Sequence, residues 1–333
     1  MSKYSISQVA NKAIPTQPVV RERVLAYYTS ATTDYLAWSQ NYNMHFGYWR
    51  KGLNPLLREP MLQELNLQVF SRLGLPKSGA VRLADFGGGT GATARAAVAA
   101  FANLSVDVIT IVPLQIEIAQ KLNAAVPRGD AITMHCVDFS ETQLSADQFD
   151  AVYMIESACH AAGATKQGVL REAFRLLKPG GRFVMTDAML LHELPTAGLL
   201  SRLVAYLYHK WCESWAIPEM CRKDLLHDAM KAEGFDEVHI EDWRWQVAPS
   251  IAHIPLLVLS FTLAELFKAR GLLPLWRWRH IVASFLTPLL ALRMGTFTYG
   301  AAIATKPVAS PPISSEAENG TPLDHALRSI SGC

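Results

Sequence analysis

From Arg21 to about Leu73 apolar residues recur at helical spacing, and a turn-rich stretch at 41–54 interrupts them. This pattern predicts a helical cap over 21–75. From Val81 the texture changes, and short apolar runs alternate with helical stretches in the order of repeated β-α units around a parallel sheet. The runs predict strands near 81–86, 107–112, 131–137, 149–155 and 182–188, with helices near 91–101, 113–125 and 166–177 between them. Pro113 suits a first helical turn, and Lys178-Pro179-Gly180-Gly181 reads as a helix stop. A helical stretch over 197–232, a strand near 237–243 and a last strand from Thr296 to Thr305 follow. The expected fold class is α/β, a doubly wound and mostly parallel seven-stranded sheet, with its core over 80–250 and a closing strand at 294–307. Residues 1–20 read as a flexible N-terminus and the Pro/Ser-rich 308–333 as a disordered tail.

Residues 251–293 stand apart. They are strongly apolar and carry Leu275-Trp276-Arg277-Trp278-Arg279 at their middle, which implies two apolar helices inserted before the last strand. Uninterrupted apolar runs there are short, with Glu265 and Pro288 inside them, and fall below the roughly 20 residues of a bilayer span. A lid over a pocket is the reading preferred, roofed by Ile254, Leu256, Leu257, Phe261 and Phe267. Peripheral contact with a membrane and a homodimer interface are the alternatives for the same surface.

Composition narrows the partners. Lysine and arginine number 31 against 29 acidic residues, so no strong field favours nucleic acid or another polyanion. The five cysteines, Cys136, Cys159, Cys212, Cys221 and Cys333, form no C-x-x-C pair and no zinc-like spacing, so no metal site is expected and a reduced, cytoplasmic setting fits. Met1 to Gln17 is polar and has no secretory h-region.

The chemistry begins at Asp85-Phe86-Gly87-Gly88-Gly89-Thr90-Gly91. An apolar strand that breaks into glycines before a helix brings backbone close to a ligand, with an adenosyl group as the natural occupant. A bare strand-to-helix turn needs fewer glycines. Gly87-x-Gly89-x-x-Ala92 also satisfies the dinucleotide pattern and keeps a nicotinamide-dependent oxidoreductase as a remote alternative. Against it stand the acidic residue ahead of the glycines, the absence of a carboxylate at the end of the second strand, and the nearly 80 residues before the loop.

The downstream order carries a resemblance. Asp85-x-Gly87-x-Gly89-x-Gly91, then Asp138-Phe139, then Leu177-Lys178-Pro179-Gly180-Gly181 together resemble the class I S-adenosylmethionine-dependent methyltransferases over roughly 80–190. Tyr153-Met154-Ile155-Glu156-Ser157-Ala158-Cys159-His160-Ala161 is similar to a segment of the sterol 24-C-methyltransferases, with tocopherol-type small-molecule methyltransferases as relatives. Phe297-Thr298-Tyr299-Gly300 through Lys306-Pro307 is similar to the closing strand of this group, extending the likeness to about 22–307. The resemblance implies the class I methyltransferase fold and S-adenosyl-L-methionine as cofactor. It implies that Asp85, Gly87, Gly89, Thr90 and Gly91 surround the methionyl part, that Asp138 and Phe139 meet the adenine, that Gln115 follows the second strand, and that Tyr28 closes over the cofactor. Thr110 departs from the acidic residue that grips the ribose in many class I enzymes.

Methyl transfer from a sulfonium needs an aligned nucleophile and, according to its type, a base or aromatic faces that support a transient cation. His160 is the leading base, with a helix-cap histidine as its structural alternative, and Glu156, four residues earlier, either holds the cofactor or orients His160. Cys159 reads as a buried spacer. His45, Tyr48 and Trp49 either bind the acceptor or staple the cap to the sheet. The expected reaction is transfer of a methyl group to a lipophilic small molecule, with an isoprenoid carbon favoured and a natural-product oxygen or nitrogen second. A non-catalytic membrane-surface protein is the reading from another class.

Overall fold

The computed structural model describes residues 17–308 except Thr196 and 269–272. The N-terminal cap comprises α1 (Gln17–Ala31), a 3-10 turn (Thr32–Ala37) and α2 (Arg58–Arg72). The core then runs β1 (Val81–Phe86), α3 (Ala92–Ala100), β2 (Leu104–Thr110), α4 (Pro113–Ala124), β3 (Ile132–Cys136), β4 (Phe149–Ile155), α5 (Gln167–Leu176) and β5 (Leu177–Leu190). It continues through α6 (Leu199–Ser214), β6 (Cys221–Arg222), α7 (Lys223–Glu233), β7 (Asp236–Asp242), α8 (Arg244–Ala252), α9 (Ile254–Lys268), α10 (Leu275–Ala291) and β8 (Phe297–Thr305).

Among the described residues these strands form one sheet of order β3-β2-β1-β4-β5-β8-β7, and the two-residue β6 pairs with β5 off this path. The first five strands are parallel, and β8 runs antiparallel between β5 and β7. The central strands are covered on both faces and buried at most positions, whereas the edge strand β7 is mostly polar and partly exposed. Ala84, Phe86, Val152, Met154, Phe183 and Met185 pack on one side with α5 and α7 through Leu170, Leu226 and Met230. The alternate residues Val81, Leu83, Ala151, Tyr153 and Val184 pack on the other with α2, α3 and α8 through Leu65, Ala97 and Val247. This period-two division is what makes the sheet doubly wound.

Several boundaries differ from the pattern's forecast. β2 begins at Leu104 because Val81 to Phe86 pair with Leu104 to Ile109 along their whole length, burying Leu104 and Val106. The Lys178-Pro179-Gly180-Gly181 stop lies inside β5, where the register shifts between Phe149 and Ala151, and Gly180 N–H donates to Lys306 O at 2.8 Å. The forecast single helical stretch over 197–232 is broken: Ala216 takes φ 54°, Pro218 follows, and Cys221 pairs with Met189. Residues 17–20, expected to be flexible, open α1, and Val20 is buried. Most of the forecast flexible N-terminus and all but Val308 of the forecast tail lie outside the described residues.

The insertion forms the two helices expected, α9 and α10. Ala283 and Leu290 of α10 pack with Val204, Tyr208 and Trp211 of α6 in a third apolar cluster. α8 and α9 are separated by His253 alone, and Arg244–Lys268 is long and apolar enough to cross a membrane by length and composition, which the short apolar runs did not anticipate. Leu256 and Phe267 point outward at 74% and 88% exposure, so they do not roof a pocket as expected.

Candidate functional site

In this strand order β1 is flanked by β2 on one side and β4 on the other, the point where an open α/β sheet leaves a crevice beyond its carboxyl ends. A pocket lies there. It is lined by Asp85, Gly87, Gly88 and Gly89 at the end of β1 and just beyond it, Thr110 and Gln115 around the end of β2, Asp138 and Phe139 after β3, and Ile155, Glu156, Ser157 and His160 at the end of β4 and just beyond it. The cap closes it with Tyr28 of α1 and with Met44 and His45 of the turn-rich stretch.

The glycine loop is tied down by Gly87 N–H and Gly88 N–H, which donate to Ile109 O at 2.8 and 3.2 Å. Gly88 is there because a Cβ at that position would lie 2.4 Å from Asp85 Oδ2. Gly89 has φ +57°, and a Cβ there would meet Met44 Sδ only at 3.4 Å, so the loop leaves an open cradle. Asp85 is 2% exposed; its Oδ2 accepts from Tyr153 OH at 3.1 Å, and burial pushes its carboxyl up to about 7 against that bond. Thr110 Oγ1 donates to Gln115 Oε1 at 2.5 Å, and Gln115 Nε2 reaches Thr32 Oγ1 at 3.4 Å, joining β2 to the cap. Asp138 Oδ1 accepts Ser140 N–H at 2.8 Å, and the Phe139 ring stacks on Phe86 with centroids 6.1 Å apart.

The segment after β4 is held from behind. Asp187 Oδ2 accepts Cys159 N–H at 2.8 Å, and the buried Lys166 donates to Ala161 O at 2.8 Å and Glu219 O at 2.6 Å. Glu156 takes φ 48°, a left-handed conformation that turns its carboxylate into the site. Its Oε1 accepts from Phe46 N–H at 2.7 Å and Tyr299 OH at 2.9 Å. Burial nevertheless pushes this carboxyl up to about 8, with the nearby Asp187 adding to the effect. His160 is nearly buried, and burial lowers its imidazole to about 4. Its Nδ1 faces Ala216 O at 3.3 Å, a partner that assigns the proton to Nδ1, so Nε2 accepts from Tyr28 OH at 3.0 Å. Among the described residues no cationic side chain forms an ion pair with Asp85 or Glu156. Two buried, unpaired carboxyls beside a glycine cradle suit a ligand that brings its own positive charge.

A second cavity of about 180 Å³ adjoins the first, and Met44, His45 and Glu156 line both. Tyr27, Tyr35, Trp38, Phe46, Trp215 and Phe261 supply aromatic walls, and Ile254, Leu257, Val258 and Ile281 supply aliphatic ones. Of the residues expected to roof a pocket, Ile254, Leu257 and Phe261 line this second cavity.

The structure brings Tyr28, Asp85, Gly87, Gly89, Gln115, Asp138, Phe139, Glu156 and His160 to one pocket and His45 to both. Thr90 and Gly91 do not line it; Thr90 is buried behind the loop and Gly91 caps α3 at φ 76°. Tyr48 and Trp49 line neither cavity. Tyr48 packs edge-on against Trp243 at 5.2 Å, just after β7, while Trp49 Nε1 donates to Leu53 O at 2.9 Å within the turn-rich stretch and its backbone N–H donates to Gln246 O of α8 at 2.7 Å, so both join the cap to the segment after β7. Among the described residues no group of three His, Cys, Asp or Glu side chains could hold a metal ion. Reading the sequence missed Met44, Tyr27, Tyr35, Trp38, Asp34 and His280; Arg277, singled out in the Trp-Arg run of the insertion, lines the second cavity, and Arg279 lines neither.

A family profile described as "Methyltransferase domain" matches residues 84–185. An O-methyltransferase of Pyrenophora dematioidea is 28% identical over 207 residues, covering 62% of this chain and 73% of that protein. A sterol 24-C-methyltransferase of Yarrowia lipolytica is 26% identical over 216 residues, 65% of this chain and 54% of that protein, so the chain spans about half of that relative's length. Among solved structures, the geranyl diphosphate C-methyltransferase of Streptomyces coelicolor A3(2), in complex with Mg2+, geranyl diphosphate and S-adenosyl-L-homocysteine, shares the fold with a TM-score of 0.62 at 15% identity, covering 89% of this chain and 100% of that one.

Proposed function

We propose, for a chain that is a class I S-adenosylmethionine-dependent methyltransferase resembling the sterol 24-C-methyltransferases, that the acceptor is a lipophilic isoprenoid methylated at carbon. The observation that carries this reading is the shared wall: Met44, His45 and Glu156 face both the pocket over the glycine loop and the aromatic cavity under the insertion. A relative named for sterols and a fold neighbour solved with geranyl diphosphate supply the isoprenoid class.

S-adenosylmethionine, when bound, supplies a methyl group on a positively charged sulfur and is electrophilic without activation by the protein. We assign Asp85, Gly87, Gly89, Gln115, Asp138 and Phe139 to hold it, with Tyr28 on the cap side. The chain's other task is to hold the acceptor behind the methyl carbon and exclude water. With an alkene acceptor, the methyl group that the donor would supply would leave a positive charge on the acceptor carbon next to the one methylated. The faces of Tyr35, Trp38 and Phe46 suit that charge, and we assign to the Glu156 carboxylate, which lines the same cavity, the proton whose loss restores the double bond.

One contact favours oxygen methylation as a second reading: the Tyr28 hydroxyl donates to the neutral His160 ring, a relay suited to drawing a proton from an acceptor hydroxyl. Tyr28→Phe separates the two readings. With carbon as the nucleophile it slows methyl transfer by about tenfold or less, through positioning alone, whereas loss of a base costs roughly 10²–10⁴-fold.

The direct test follows labelled methyl from S-adenosylmethionine into prenyl alcohols, prenyl diphosphates, sterols, prenylquinones and simple phenols. The expected product is an isoprenoid that keeps its label through ether cleavage. Transfer confined to the oxygen of small phenols would replace this acceptor class with the second reading.

A further inference from the structure

Met44, His45 and Glu156 of the second cavity are shared with the donor pocket, and a group of polar residues in its lining is not. Asp34, from the 3-10 turn after α1, and Arg277, His280 and Ser284, from α10, line the second cavity and not the first. All four lie outside the matched residues 84–185. His280 is separated from His160 by a row of rings: His280 to Tyr27 at 4.7 Å, Tyr27 to Tyr28 at 4.8 Å, and Tyr28 to His160 at 5.3 Å. Two tyrosine rings thus stand between His280 and the His160 of the donor pocket.

The polar side is balanced in charge once Lys268 is counted. The Arg277 guanidinium bonds to Glu265 and reaches Asp34 Oδ1 at 3.3 Å, and Lys268 Nζ lies 3.0 Å from Glu265 Oε1, so two cations already face two carboxylates. The Arg277 side chain is only 16% exposed. Burial and the Arg277 charge lower His280 to about 4, so its ring is neutral, and among the described residues no hydrogen bond falls on its nitrogens. A phosphate entering here meets Asp34 and Glu265 and must displace them from Arg277, while an ammonium meets the guanidinium. A neutral group that both donates and accepts fits all three side chains: its hydrogen goes to Asp34 or a His280 nitrogen, and its lone pairs take an N–H of Arg277.

Resting on the acceptor reading above, we propose that Asp34, Arg277 and His280 form a head-group site for an uncharged hydroxyl of the acceptor. The enzyme then takes a free lipophilic alcohol, held by its hydroxyl at these three residues, and discriminates against the phosphorylated form of the same skeleton.

The test measures methyl transfer to one isoprenoid skeleton offered as the free alcohol, its acetate ester and its diphosphate, with S-adenosylhomocysteine affinity measured in parallel. Wild type is expected to prefer the alcohol over the ester by about 10–100-fold in kcat/KM, the range of a hydrogen bond to charged partners, and over the diphosphate by at least as much. His280→Ala and Asp34→Asn should raise KM for the alcohol more than they lower kcat and shrink the preference over the ester, with S-adenosylhomocysteine affinity unchanged. His280→Gln, which keeps a hydrogen-bonding side chain, should recover part of the preference, and that recovery separates recognition from damage to the fold. Equal use of alcohol and ester, or preference for the diphosphate, overturns the head-group site and leaves the isoprenoid reading standing. Failure of all three forms alongside methylation of small phenols overturns both.

Discussion

Asp85→Asn is expected to weaken S-adenosylhomocysteine binding by about 10–100-fold while making the ligand-free protein more stable. The two effects have one origin. Asp85 is buried against Gly88 with Tyr153 as its hydrogen-bond partner, and burial raises its carboxyl from 3.8 to about 7. Because the folded value lies above the unfolded one, the folded protein keeps a proton that the unfolded chain releases between about pH 4 and 7. Stability therefore falls as pH rises through that window and stays at its reduced level above it. Asparagine matches the shape, can still bond the Tyr153 hydroxyl and carries no charge. Its thermal midpoint should equal that of wild type near pH 4 and exceed it by about 2 °C or more at pH 8. A cationic ligand offsets the buried charge, so saturating S-adenosylmethionine should raise the midpoint of wild type more than that of Asp85→Asn. Equal ligand shifts in the two proteins, measured by thermal unfolding at pH 8, would remove Asp85 from the cofactor site.

Much of the fold was legible because its signals are local. A strand buried on both faces is apolar at successive positions, so Val81–Phe86 and Phe149–Ile155 were readable to the residue. β5 was misread at its start because Pro179 and two glycines are the usual marks of a stop, and only pairing with β4 and β8, from other parts of the chain, keeps that stretch extended. The break between α6 and α7 had a weak local sign in Pro218; the pairing of Cys221 with Met189 that makes it a strand is a tertiary event.

The candidate site divides in the same way. The donor pocket consists of loop residues adjacent to strand ends, and recurring local motifs marked Asp85, the glycines, Gln115, Asp138 and Phe139. The second cavity is built from segments that meet only in the folded chain, with Arg277 on Asp34 across 243 positions, and the cap side of the first pocket is closed in the same way by Tyr28 on His160 across 132. The aromatic run after Asn43 shows why composition was a poor guide there. A Cβ at Gly47 would lie 2.5 Å from Met61 Cβ, so the chain turns hard against α2, leaving His45 and Phe46 toward the cavities and sending Tyr48 to Trp243.

Glu156→Gln is expected to lower kcat by roughly 10²–10³-fold while leaving S-adenosylhomocysteine affinity within a few-fold of wild type. The glutamine carbonyl can accept the Phe46 N–H and Tyr299 hydroxyl as Oε1 does now, and it inherits the same left-handed backbone, so the loop after β4 has no reason to move. What it cannot do is take a proton. The wild-type carboxyl titrates near 8 in the free protein, driven up by burial and by Asp187, and only its ionised form is a base. Single-turnover transfer by wild type should therefore rise with pH up to about 8, or to a lower limit once the cationic donor is bound beside it, and Glu156→Gln should lose that limb. Asp187→Asn removes the neighbouring charge and shifts the limb to lower pH without abolishing it. His160, whose ring nitrogens face Tyr28 and Ala216 O and which lines the donor pocket alone, should leave the limb in place when changed to Ala. If the limb instead vanishes in His160→Ala and persists in Glu156→Gln, the proton leaves through the Tyr28–His160 pair and the acceptor atom is an oxygen.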